Sequence, residues 1–265
     1  MWHTILRSCC PVWENGAMLS VHVTLPTAAE NIALDEALLD IAEEGSGADE
    51  FFRLWESPDP VIVVGRSTRI SAEVDQAKCN AIGAPVLRRS SGGAAIVAGP
   101  GCLMYAVVIS HKQRPELLDI TRAHRFVLAR VVEAIQPLAA QPESIRVAGT
   151  CDLIFDDGVA APRKFSGNSL RVKRSHFLYH GTILYDFDLS LIANCLRPPP
   201  RQPEYRARRA HGEFVMNLPA SRQDLVDALI AAWPTIGELK DIPLARVKEL
   251  VASRFGQRAW NFELP

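Results

Sequence analysis

The chain has 265 residues, 48% of them hydrophobic and 22% charged, which is the composition of a globular protein with a sizeable core. Its 29 Lys and Arg residues nearly balance its 30 Asp and Glu residues, so the basic excess that is typical of nucleic-acid-binding proteins is missing. No apolar run approaches the ~20 residues that cross a bilayer, and the six scattered cysteines lack the spacing of a zinc site. Scattered cysteines are also typical of a reducing compartment. We therefore predict a cytoplasmic protein that binds no nucleic acid, membrane or structural metal.

The start of the chain is predicted to be a tail. Residues 1–17 carry neither the charged start nor the sustained apolar stretch of a signal peptide, and periodic structure begins only near Met18, which is a candidate initiator. We therefore predict a mobile tail over 1–17 and a single domain over 18–265, with no C-terminal accessory domain.

Hydrophobic periodicity and turn residues predict the secondary structure in chain order. The predicted strands are 18–24, 51–55, 60–65, 85–89, 102–110, 152–155, 164–173 and 176–185. The predicted helices are 28–44, 72–82, 116–136, 188–196, 221–233 and 244–255, and Thr27 with Glu30 forms a capping-box pattern before the first of them. Because strands follow one another instead of alternating with helices, we expect an α+β fold with a mainly antiparallel sheet flanked by helices. The last three strands are expected to form an antiparallel meander.

The segment 87–110 contains the strongest local motif, RRSSGG, between two predicted strands. Gly92 and Gly93 let a backbone approach a ligand closely and expose consecutive N–H groups to an anionic oxygen. Arg88 and Arg89 leave their strand toward opposite faces, so only one of them can meet a phosphate or carboxylate. The pattern matches neither the mononucleotide P-loop nor the GxGxxG dinucleotide motif. A glycine hairpin with solvated arginines is an equally good interpretation of this motif alone.

A second motif, KFSGN at 164–168, lies on a predicted strand, and the next strand contains YHGT at 179–182. A lysine inside a sheet can reach a buried anion and stabilise charge that develops on a carbonyl or phosphate. Alternatively, Lys164 is an edge lysine that prevents strand-to-strand aggregation. Taken alone, the motif favours the edge lysine.

Together the motifs resemble those of the lipoate–protein ligase and octanoyltransferase family, which is related to the biotin protein ligases. The resemblance extends from Asn31 to Phe262 and keeps the family's order of motifs, namely NIALDE at 31–36, VVGR at 63–66, RRSSGG at 88–93, DL at 152–153, KFSGN at 164–168 and HGT at 180–182. A chance match of several spaced motifs in one order is far rarer than a match to any single motif. The resemblance implies a class II synthetase-like catalytic domain.

The same resemblance implies a reaction and its participants. A lipoyl or octanoyl group would be activated with ATP and Mg²⁺ as an acyl-adenylate and passed to a lysine of a lipoyl domain. The implied acceptors are the E2 subunits of 2-oxoacid dehydrogenases and the glycine cleavage H protein. Acyl carrier protein and a separate accessory subunit are further candidate partners.

The resemblance also implies the residues of the site. Lys164 matches the family lysine that contacts both the acyl carbonyl and the α-phosphate, and Ser166 and Gly167 match small residues beside the acyl chain. The residues expected to bind substrate or adenylate are Arg89, Ser91, Gly92, Gly93, Ala94, Ala95, Ile96, Val97, Asp152, Ser166, Gly167, Asn168, His180 and Gly181. No metal ligands are expected among them.

The chain departs from the family pattern in its glycine motif. Ala94 replaces the third glycine, Ala98 and Gly99 replace a His-Asp pair, and Cys102 replaces an asparagine. These departures leave two alternatives to the ligase open. One is an ATP-independent octanoyltransferase or amidotransferase that forms a thioester on Cys151, and the other is a non-catalytic homologue that binds the acyl group or adenylate. The plainer interpretation of Cys151 is a small buried residue that fills a gap.

The stretch 197–209 carries a run of arginines against a single acidic residue, Glu204. Its arginines are Arg197, Arg201, Arg206, Arg208 and Arg209. A solvated loop is the simplest interpretation. Our hypothesis is that the stretch docks an acidic partner, and that charge reversal at Arg206, Arg208 and Arg209 weakens the binding in a salt-sensitive way.

Overall fold

The computed structural model describes residues 18–45, 49–112 and 114–263, so the tail predicted over 1–17 lies outside the described residues. The division into a tail and one domain stays a prediction. The β-strands within the described residues are β1 Met18–Val21, β2 Glu50–Trp55, β3 Val61–Val64, β4 Val86–Arg88, β5 Ile96–Ala98, β6 Cys102–Ser110, β7 Ile145–Ala148, β8 Asp152–Phe155, β9 Arg163–Ser166, β10 Asn168–Val172, β11 His176–Leu184 and β12 Gly237–Glu238.

The helices of the described residues pack against the strands. The α-helices are α1 Ala28–Glu44, α2 Ile70–Glu73, α3 Gln76–Ala81, α4 Ile120–Ile135, α5 Leu189–Cys195, α6 His211–Phe214, α7 Arg222–Ala232, α8 Leu244–Leu250 and α9 Arg258–Phe262. A π-helical turn, Val251–Phe255, continues α8, and 3₁₀ helices lie at Pro115–Leu118, Gln136–Leu138, Pro142–Ser144 and Glu204–Arg206. The helices that the structure describes include none with the length and apolar character of a membrane span.

The strands form one large sheet and two small ones. The large sheet has the order β10-β11-β6-β2-β1-β12, and the small sheets have the orders β4-β3-β5 and β7-β8-β9. In the large sheet the pairs from β10 to β2 are antiparallel, whereas β1 runs parallel to both β2 and β12. Antiparallel pairs are in the majority, so the predicted α+β class with a mainly antiparallel sheet is confirmed.

The large sheet is covered on both faces. Every residue of its central strand β6 is buried, as an uninterrupted apolar strand predicts. Alternate residues of β6 belong to two separate apolar clusters, because successive side chains point to opposite faces. One cluster is covered by α1 and α8, and the other by α4 and α7. We call these sides the α1 face and the α4 face.

A row of side chains crosses the α1 face and positions the site. The strand register pairs Arg53 with Ala106, Ala106 with His180, and His180 with Ser169. These four residues therefore lie side by side on β2, β6, β11 and β10. Ala106 belongs to the cluster that α1 covers, so the whole row faces α1. We call these four residues the cross-sheet row.

The predicted strand 164–173 is two strands in two different sheets, so the predicted meander is wrong. β9 pairs with β8 in a small sheet, whereas β10 pairs with β11 in the large sheet. The chain passes between the sheets at Gly167, where an added Cβ would lie 2.9 Å from the Lys164 ammonium. A residue with a side chain would push the Lys164 ammonium aside, so the glycine leaves room for Lys164 in its observed position.

Two predicted helices have different bounds in the structure. The helix predicted over 72–82 is divided into α2 and α3, because Asp75 caps α3 by accepting the Lys78 N–H at 3.2 Å. The helix predicted from residue 116 begins at Ile120, because Asp119 caps it and a 3₁₀ turn precedes the cap. The capping box predicted at Thr27 and Glu30 is confirmed.

Several short elements have no counterpart in the sequence prediction. They are β5, β7, β12, α6 and α9. Strands and helices of two to five residues are too short to show a period, so hydrophobic patterning does not reveal them.

Candidate active site

A cavity of about 750 Å³ opens on the α1 face, bordered by the glycine loop (residues 89–95), β9 and the segment 196–206. Besides Lys164 and Cys151, the sequence-predicted residues that line it are Arg89, Gly93, Ala94, Ala95, Ile96, Val97, Asp152, Ser166, Gly167, Asn168, His180 and Gly181. Ser91 and Gly92 belong to the same loop but do not line the cavity. The structure thus gathers nearly all predicted residues around one cavity, while their roles toward a substrate stay predictions.

Part of the cavity wall is apolar. It consists of Ile32, Trp55, Val63, Met104, Leu184, Ile192, Leu196, Phe214 and Val215. An apolar wall with a few polar groups is typical of small-molecule sites. This wall suits an alkyl chain, and the polar residues of the cavity suit a charged end group.

Arg89 organises the glycine loop from within. Its guanidinium donates to the carbonyl oxygens of Gly92 at 2.5 Å, Ala94 at 3.0 Å and Val63 at 3.1 Å. Burial lowers the pKa of Arg89 to about 10, although the nearby Glu73 opposes the effect. Most N–H groups of Arg89 are therefore engaged by the protein, and Arg89 shapes the loop in addition to lining the cavity.

Gly93 lies where the loop needs a left-handed backbone. Its φ is 91°, and an added Cβ would lie 2.9 Å from the Arg89 guanidinium. Glycine adopts this conformation at little cost, whereas other residues are strained there. The Gly-Gly pair therefore allows the loop to fold back onto the arginine that precedes it.

Arg88 points away from the cavity, as strand alternation predicts. Its side chain is fully buried and donates to the carbonyl oxygens of Gly65 at 2.8 Å, Thr68 at 2.9 Å and Trp260 at 3.1 Å. Its backbone N–H donates to the Asn261 side chain at 2.8 Å. Arg88 therefore holds α9 against the small sheet β4-β3-β5.

Lys164 projects from β9 into the cavity. Its Nζ lies 2.7 Å from Asp152 Oδ1, and the Tyr205 hydroxyl donates to Asp152 Oδ2 at 2.7 Å. Burial and the neighbouring Asp152 raise the pKa of Tyr205 well above its usual value, so the hydroxyl stays protonated and donates. The carboxylate thus links the lysine of one strand to the segment 196–206 across the cavity.

Cys151 lies beside this ion pair. Its thiol donates to the Asn168 carbonyl oxygen at 2.9 Å, and the Asn168 side-chain amide donates to the Cys151 carbonyl oxygen at 2.7 Å. Burial and Asp152 raise the pKa of Cys151 to about 11, and Lys164 and Arg89 partly oppose them. In this arrangement the group is a thiol at neutral pH.

Four functional candidates were not predicted from the sequence. The Asp35 carboxylate lies 2.5 Å from the buried Arg53 guanidinium and 3.6 Å from the His180 ring. Glu73 accepts the Ala95 N–H of the glycine loop at 2.7 Å, and Tyr205 holds Asp152. Two features of the sequence could have indicated the Asp35–Arg53 pair. They are an arginine inside the largely apolar strand 50–55 and the acidic residues of the NIALDE motif.

Of the four departures from the family pattern, Ala94 lines the cavity, whereas Ala98, Gly99 and Cys102 do not. Ala98 and Cys102 are fully buried in the apolar cluster of the α1 face, and burial raises the pKa of Cys102 to about 12. Gly99 packs against Pro60, where an added Cβ would lie 3.2 Å from the proline Cα. These positions therefore contribute packing here and not a polar contact to the cavity.

Two of the five arginines at 197–209 hold their own segment together, and docking by this stretch stays a hypothesis. Arg206 is buried against the Phe214 ring at 4.6 Å, and Arg209 donates to the carbonyl oxygens of Pro162 at 2.7 Å and Tyr205 at 2.9 Å. Charge reversal at Arg206 or Arg209 would therefore disrupt the segment and is not a test of docking. The exposed guanidinium groups are those of Arg197, Arg201 and Arg208.

No group of three or more His, Cys, Asp or Glu side chains is arranged to hold a metal ion within 18–45, 49–112 and 114–263. The acidic residues of the cavity are engaged instead by lysine, tyrosine, arginine and backbone partners. Asp152, Asp35 and Glu73 each make such a contact.

Comparisons with known proteins agree with this geometry. The sequence profile of the lipoyl protein ligase A/B catalytic domain matches residues 27–233. The putative lipoate-protein ligase A of Aeropyrum pernix is 32% identical over 248 residues, which cover 87% of this chain and 86% of the relative. Octanoyltransferase LipM of Brevibacillus brevis is 24% identical over 263 residues, which cover 88% of this chain and 94% of the relative.

The fold has close counterparts among solved structures. One is a chain from the bi-partite lipoate protein ligase and its E2 lipoyl domain of Thermoplasma acidophilum, with a TM-score of 0.75, 22% identity, and coverage of 95% of this chain and 97% of that chain. At that identity the likeness concerns the fold alone. The chain belongs to the lipoyl protein ligase A/B catalytic domain family, and the enzyme family predicted from the ordered motifs is confirmed.

Proposed function

We propose that this chain attaches a lipoyl or octanoyl group to a lysine of a lipoyl domain, after activating the acyl group with ATP as an acyl-adenylate. The observation that carries the proposal is the position of Lys164, which lines the same cavity as the glycine loop and the apolar wall. An alkyl chain on that wall would bring its carboxyl end toward the loop and the ammonium. Membership in the family supports this class of reaction.

Lys164 would stabilise the negative charge that develops in both steps. The acyl carboxylate first joins the α-phosphate of ATP and releases pyrophosphate, and the acceptor lysine then takes the acyl group and releases AMP. A fixed cation between the carbonyl oxygen and the phosphate favours both transition states. Mg²⁺ is expected to accompany ATP and to offset its phosphate charge. The acceptor lysine has to be neutral when it attacks.

Asp152 would hold Lys164 in place until a substrate arrives. An anionic substrate competes with Asp152 for the ammonium, so the 2.7 Å ion pair has to loosen during binding. Because the Tyr205 hydroxyl also donates to Asp152, the carboxylate keeps a partner when the lysine turns away. Removing one partner of a buried charge without replacement is costly, and the tyrosine prevents that cost.

The proposed acceptors are lipoyl domains, including those of 2-oxoacid dehydrogenase E2 subunits and the glycine cleavage H protein. The structural neighbour of Thermoplasma was determined with its E2 lipoyl domain, which supports this class of partner. That ligase is bi-partite, and a separate accessory subunit is our explanation if this chain alone fails to activate the acyl group. The exposed Arg201 and Arg208 remain candidates for contact with an acidic acceptor.

A second candidate function is ATP-independent octanoyl transfer, and it is favoured by the position of Cys151 in the wall of the same cavity. The thiol would lose its proton, attack the thioester of octanoyl acyl carrier protein and release the carrier thiol. The acceptor lysine would then displace the cysteine. The pKa of Cys151 is raised to about 11, so this path needs Asp152 to move away or Lys164 to move closer. We rank it second for that reason.

The deciding experiment follows the intact mass of an apo lipoyl domain. The domain is incubated with this protein and either lipoate plus ATP and Mg²⁺ or octanoyl acyl carrier protein. Transfer that requires ATP supports the ligase, and ATP-independent transfer that Cys151→Ala abolishes supports the thioester path. Absence of transfer under both conditions, with adenylate or acyl binding retained, supports the non-catalytic homologue and contradicts our proposal.

Lys173 provides a matched control for Lys164. It is a similarly exposed lysine that also pairs with an aspartate, Asp40, but it does not line the cavity. We expect Lys164→Ala to reduce transfer by a factor of about 10² to 10³, the usual loss for a group that stabilises developing charge. Lys173→Ala is expected to leave transfer unchanged. Equal losses in both variants would contradict the assigned role of Lys164.

A further inference from the structure

A continuous series of contacts leads from the buried centre of the α1 face to the glycine loop. Arg53 Nη1 lies 2.5 Å from Asp35 Oδ1, and Asp35 Oδ2 lies 3.6 Å from His180 Nδ1. His180 Nε2 lies 2.6 Å from Ser91 Oγ, which accepts the Arg89 Nε–H at 3.1 Å. These contacts join β2, α1, β11 and the glycine loop.

The partners assign the tautomer of His180. Nδ1 faces the Asp35 carboxylate, and a hydrogen on Nδ1 is attracted to that anion whereas a lone pair there is repelled by it. With the ring hydrogen on Nδ1, Nε2 accepts from the Ser91 hydroxyl, whose oxygen accepts the Arg89 Nε–H. The 3.6 Å contact to Asp35 is longer than a hydrogen bond and acts as an electrostatic contact.

The charge of Asp35 already has a partner other than His180. Arg53 is fully buried, and besides Asp35 it donates to the Asn31 backbone and side-chain oxygens, each at 2.7 Å. Burial lowers the pKa of Arg53, which the Asp35 carboxylate opposes. Because Arg53 compensates the Asp35 carboxylate, that carboxylate does not require a second proton on the His180 ring.

Both ring nitrogens of His180 are engaged inside the protein, although the ring borders the cavity. The ring is therefore poorly placed to exchange a proton with a substrate. We infer that His180 is a positioning residue, which fixes the glycine loop to the sheet through Ser91 in the Nδ1–H tautomer that Asp35 favours. The inference deepens the proposed function and rests on it, because the fixed loop is the one proposed to face the acyl-adenylate.

Neighbouring contacts show what the Ser91 bond adds to the loop. Ser169, also in the cross-sheet row, donates to the Gly92 carbonyl oxygen at 2.9 Å, and Arg171 donates to the Ser90 carbonyl oxygen at 3.2 Å. Three successive loop residues are thus held by β10 and β11. The Ser90 hydroxyl also donates to the buried Glu36 carboxylate of α1. The Ser91 bond adds a second link toward α1, through His180, and losing it weakens the hold on the residue next to the glycine pair.

The first test is spectroscopic and needs no activity. In ¹⁵N-labelled full-length protein at pH 8, the His180 ring is expected to show the neutral Nδ1–H pattern, with Nε2 as a hydrogen-bond acceptor. Ser91→Ala is expected to shift the His180 Nε2 signal and to leave the ring of His124, on the α4 face, unchanged. An Nε2–H pattern in the unmodified protein, or no shift in Ser91→Ala, would overturn the inference.

The second test ranks substitutions of His180 by which nitrogen they mimic. Gln places its carboxamide near the Nε2 position and can still accept from Ser91, whereas Asn places its carboxamide near Nδ1 and cannot reach Ser91. We expect kcat/KM for acyl transfer to fall by about threefold in His180→Gln and by about tenfold or more in His180→Asn, as loss of one buried hydrogen bond implies. Equal losses, or the reverse order, would contradict a role through Ser91.

A double substitution separates this role from general damage to the fold. Ser91→Ala and His180→Asn remove the same contact, so the double variant is expected to be no worse than either single variant. Losses that multiply would overturn the inference. His124→Gln, a substitution of a buried histidine that also contacts a hydroxyl, is the matched control and is expected to transfer normally.

The two proposals fail in distinguishable ways. If the unmodified protein transfers no acyl group under any condition while the His180 signals follow the expected pattern, the proposed function fails and the tautomer assignment stands. If transfer is normal but His180→Asn behaves like the unmodified protein, the positioning role alone fails. Denaturant unfolding of every variant verifies that the fold is retained.

Discussion

Each face of the large sheet carries a histidine that contacts a hydroxyl, and the two histidines differ in their other partners. On the α4 face, His124 is 7% exposed and its Nδ1 lies 3.0 Å from the Tyr179 hydroxyl, inside an apolar cluster. Burial lowers the pKa of His124. On the α1 face, His180 lies between the Asp35 carboxylate and Ser91, and it borders the cavity.

The comparison teaches that a buried histidine does not by itself indicate a site. His124 completes the packing of α4 against the sheet, because its partner is a phenol on the neighbouring strand β11. His180, on β11, contacts side chains from two other elements, Asp35 of α1 and Ser91 of the glycine loop. Polar contacts that connect several elements around a cavity therefore mark the functional face.

The largest effect is expected from breaking the buried charge pair of the α1 face. Arg53→Met leaves Asp35 buried without its partner, which should lower the free energy of unfolding by about 3–5 kcal/mol. Denaturant unfolding at pH 7 measures the change. Phe52→Met is the control, since Phe52 precedes Arg53 on the same strand but faces the apolar cluster of the α4 face. A swap of similar volume there should cost less than about 1.5 kcal/mol.

A double variant sharpens this result. Replacing both partners, Arg53→Met with Asp35→Leu, removes the charge that the single variant leaves behind, so it should recover much of the lost stability. The double variant should still lose activity, because His180 no longer faces a carboxylate. A double variant as unstable as Arg53→Met would show that lost packing, and not the uncompensated charge, sets the cost.

The sequence predicted the parts of the site that lie in continuous motifs. The Gly92-Gly93 turn and Lys164 each follow from a few adjacent residues, and their order along the chain indicated the family. The cavity gathers these motifs because β4, β9 and β11 end or pass near one another on the α1 face. The order of the motifs was needed to select them, because each motif alone has a plainer structural interpretation that is at least as good.

The contacts between distant residues could not be predicted in the same way. Asp35 meets Arg53 and His180, and Tyr205 meets Asp152, only because helices and strands far apart in the sequence pack together. No local period links such residues. The arginines at 197–209 show a related difficulty, since a charge-rich stretch does not reveal that two of its five arginines, Arg206 and Arg209, hold the segment together.

The two tyrosines near the two faces provide the next test. Tyr205→Phe removes the hydroxyl that holds Asp152, so Asp152 is expected to bind Lys164 more tightly and to compete better with substrate. We expect kcat/KM for acyl transfer to fall by about fivefold to tenfold, as the loss of one charge-assisted hydrogen bond implies. Tyr179→Phe loses the bond to His124 and is expected to lower only stability, by about 1 kcal/mol. Equal activity losses would contradict a specific role of Tyr205 at the cavity, since Tyr179 lies on the α4 face.

The reactivity of the Cys151 thiol tests how the neighbouring charges of the cavity affect its pKa, and the expected effect is smaller. Its pKa of about 11 means that alkylation by iodoacetamide is slow at pH 8 and accelerates as the pH rises toward 11. Asp152→Asn removes an anion that raises this pKa, so the reaction at pH 8 should become about threefold to tenfold faster. Lys164→Met removes a cation that lowers the pKa, so the reaction should slow. Changes of the opposite sign would mean that these charges do not act on the thiol.

The smallest effect is expected at the turn that carries the segment 196–209 past the cavity. Ala207 has φ 50° and ψ 36°, a left-handed conformation that disfavours residues with a Cβ. Ala207→Gly should therefore raise the free energy of unfolding by about 0.5–1 kcal/mol, since glycine adopts this backbone at little cost. Ala228→Gly, in the interior of α7 on the α4 face, should lower it by about the same amount, because glycine weakens a helix. Equal destabilisation of both variants would contradict the prediction, because it would show that Ala207 is not strained in this conformation.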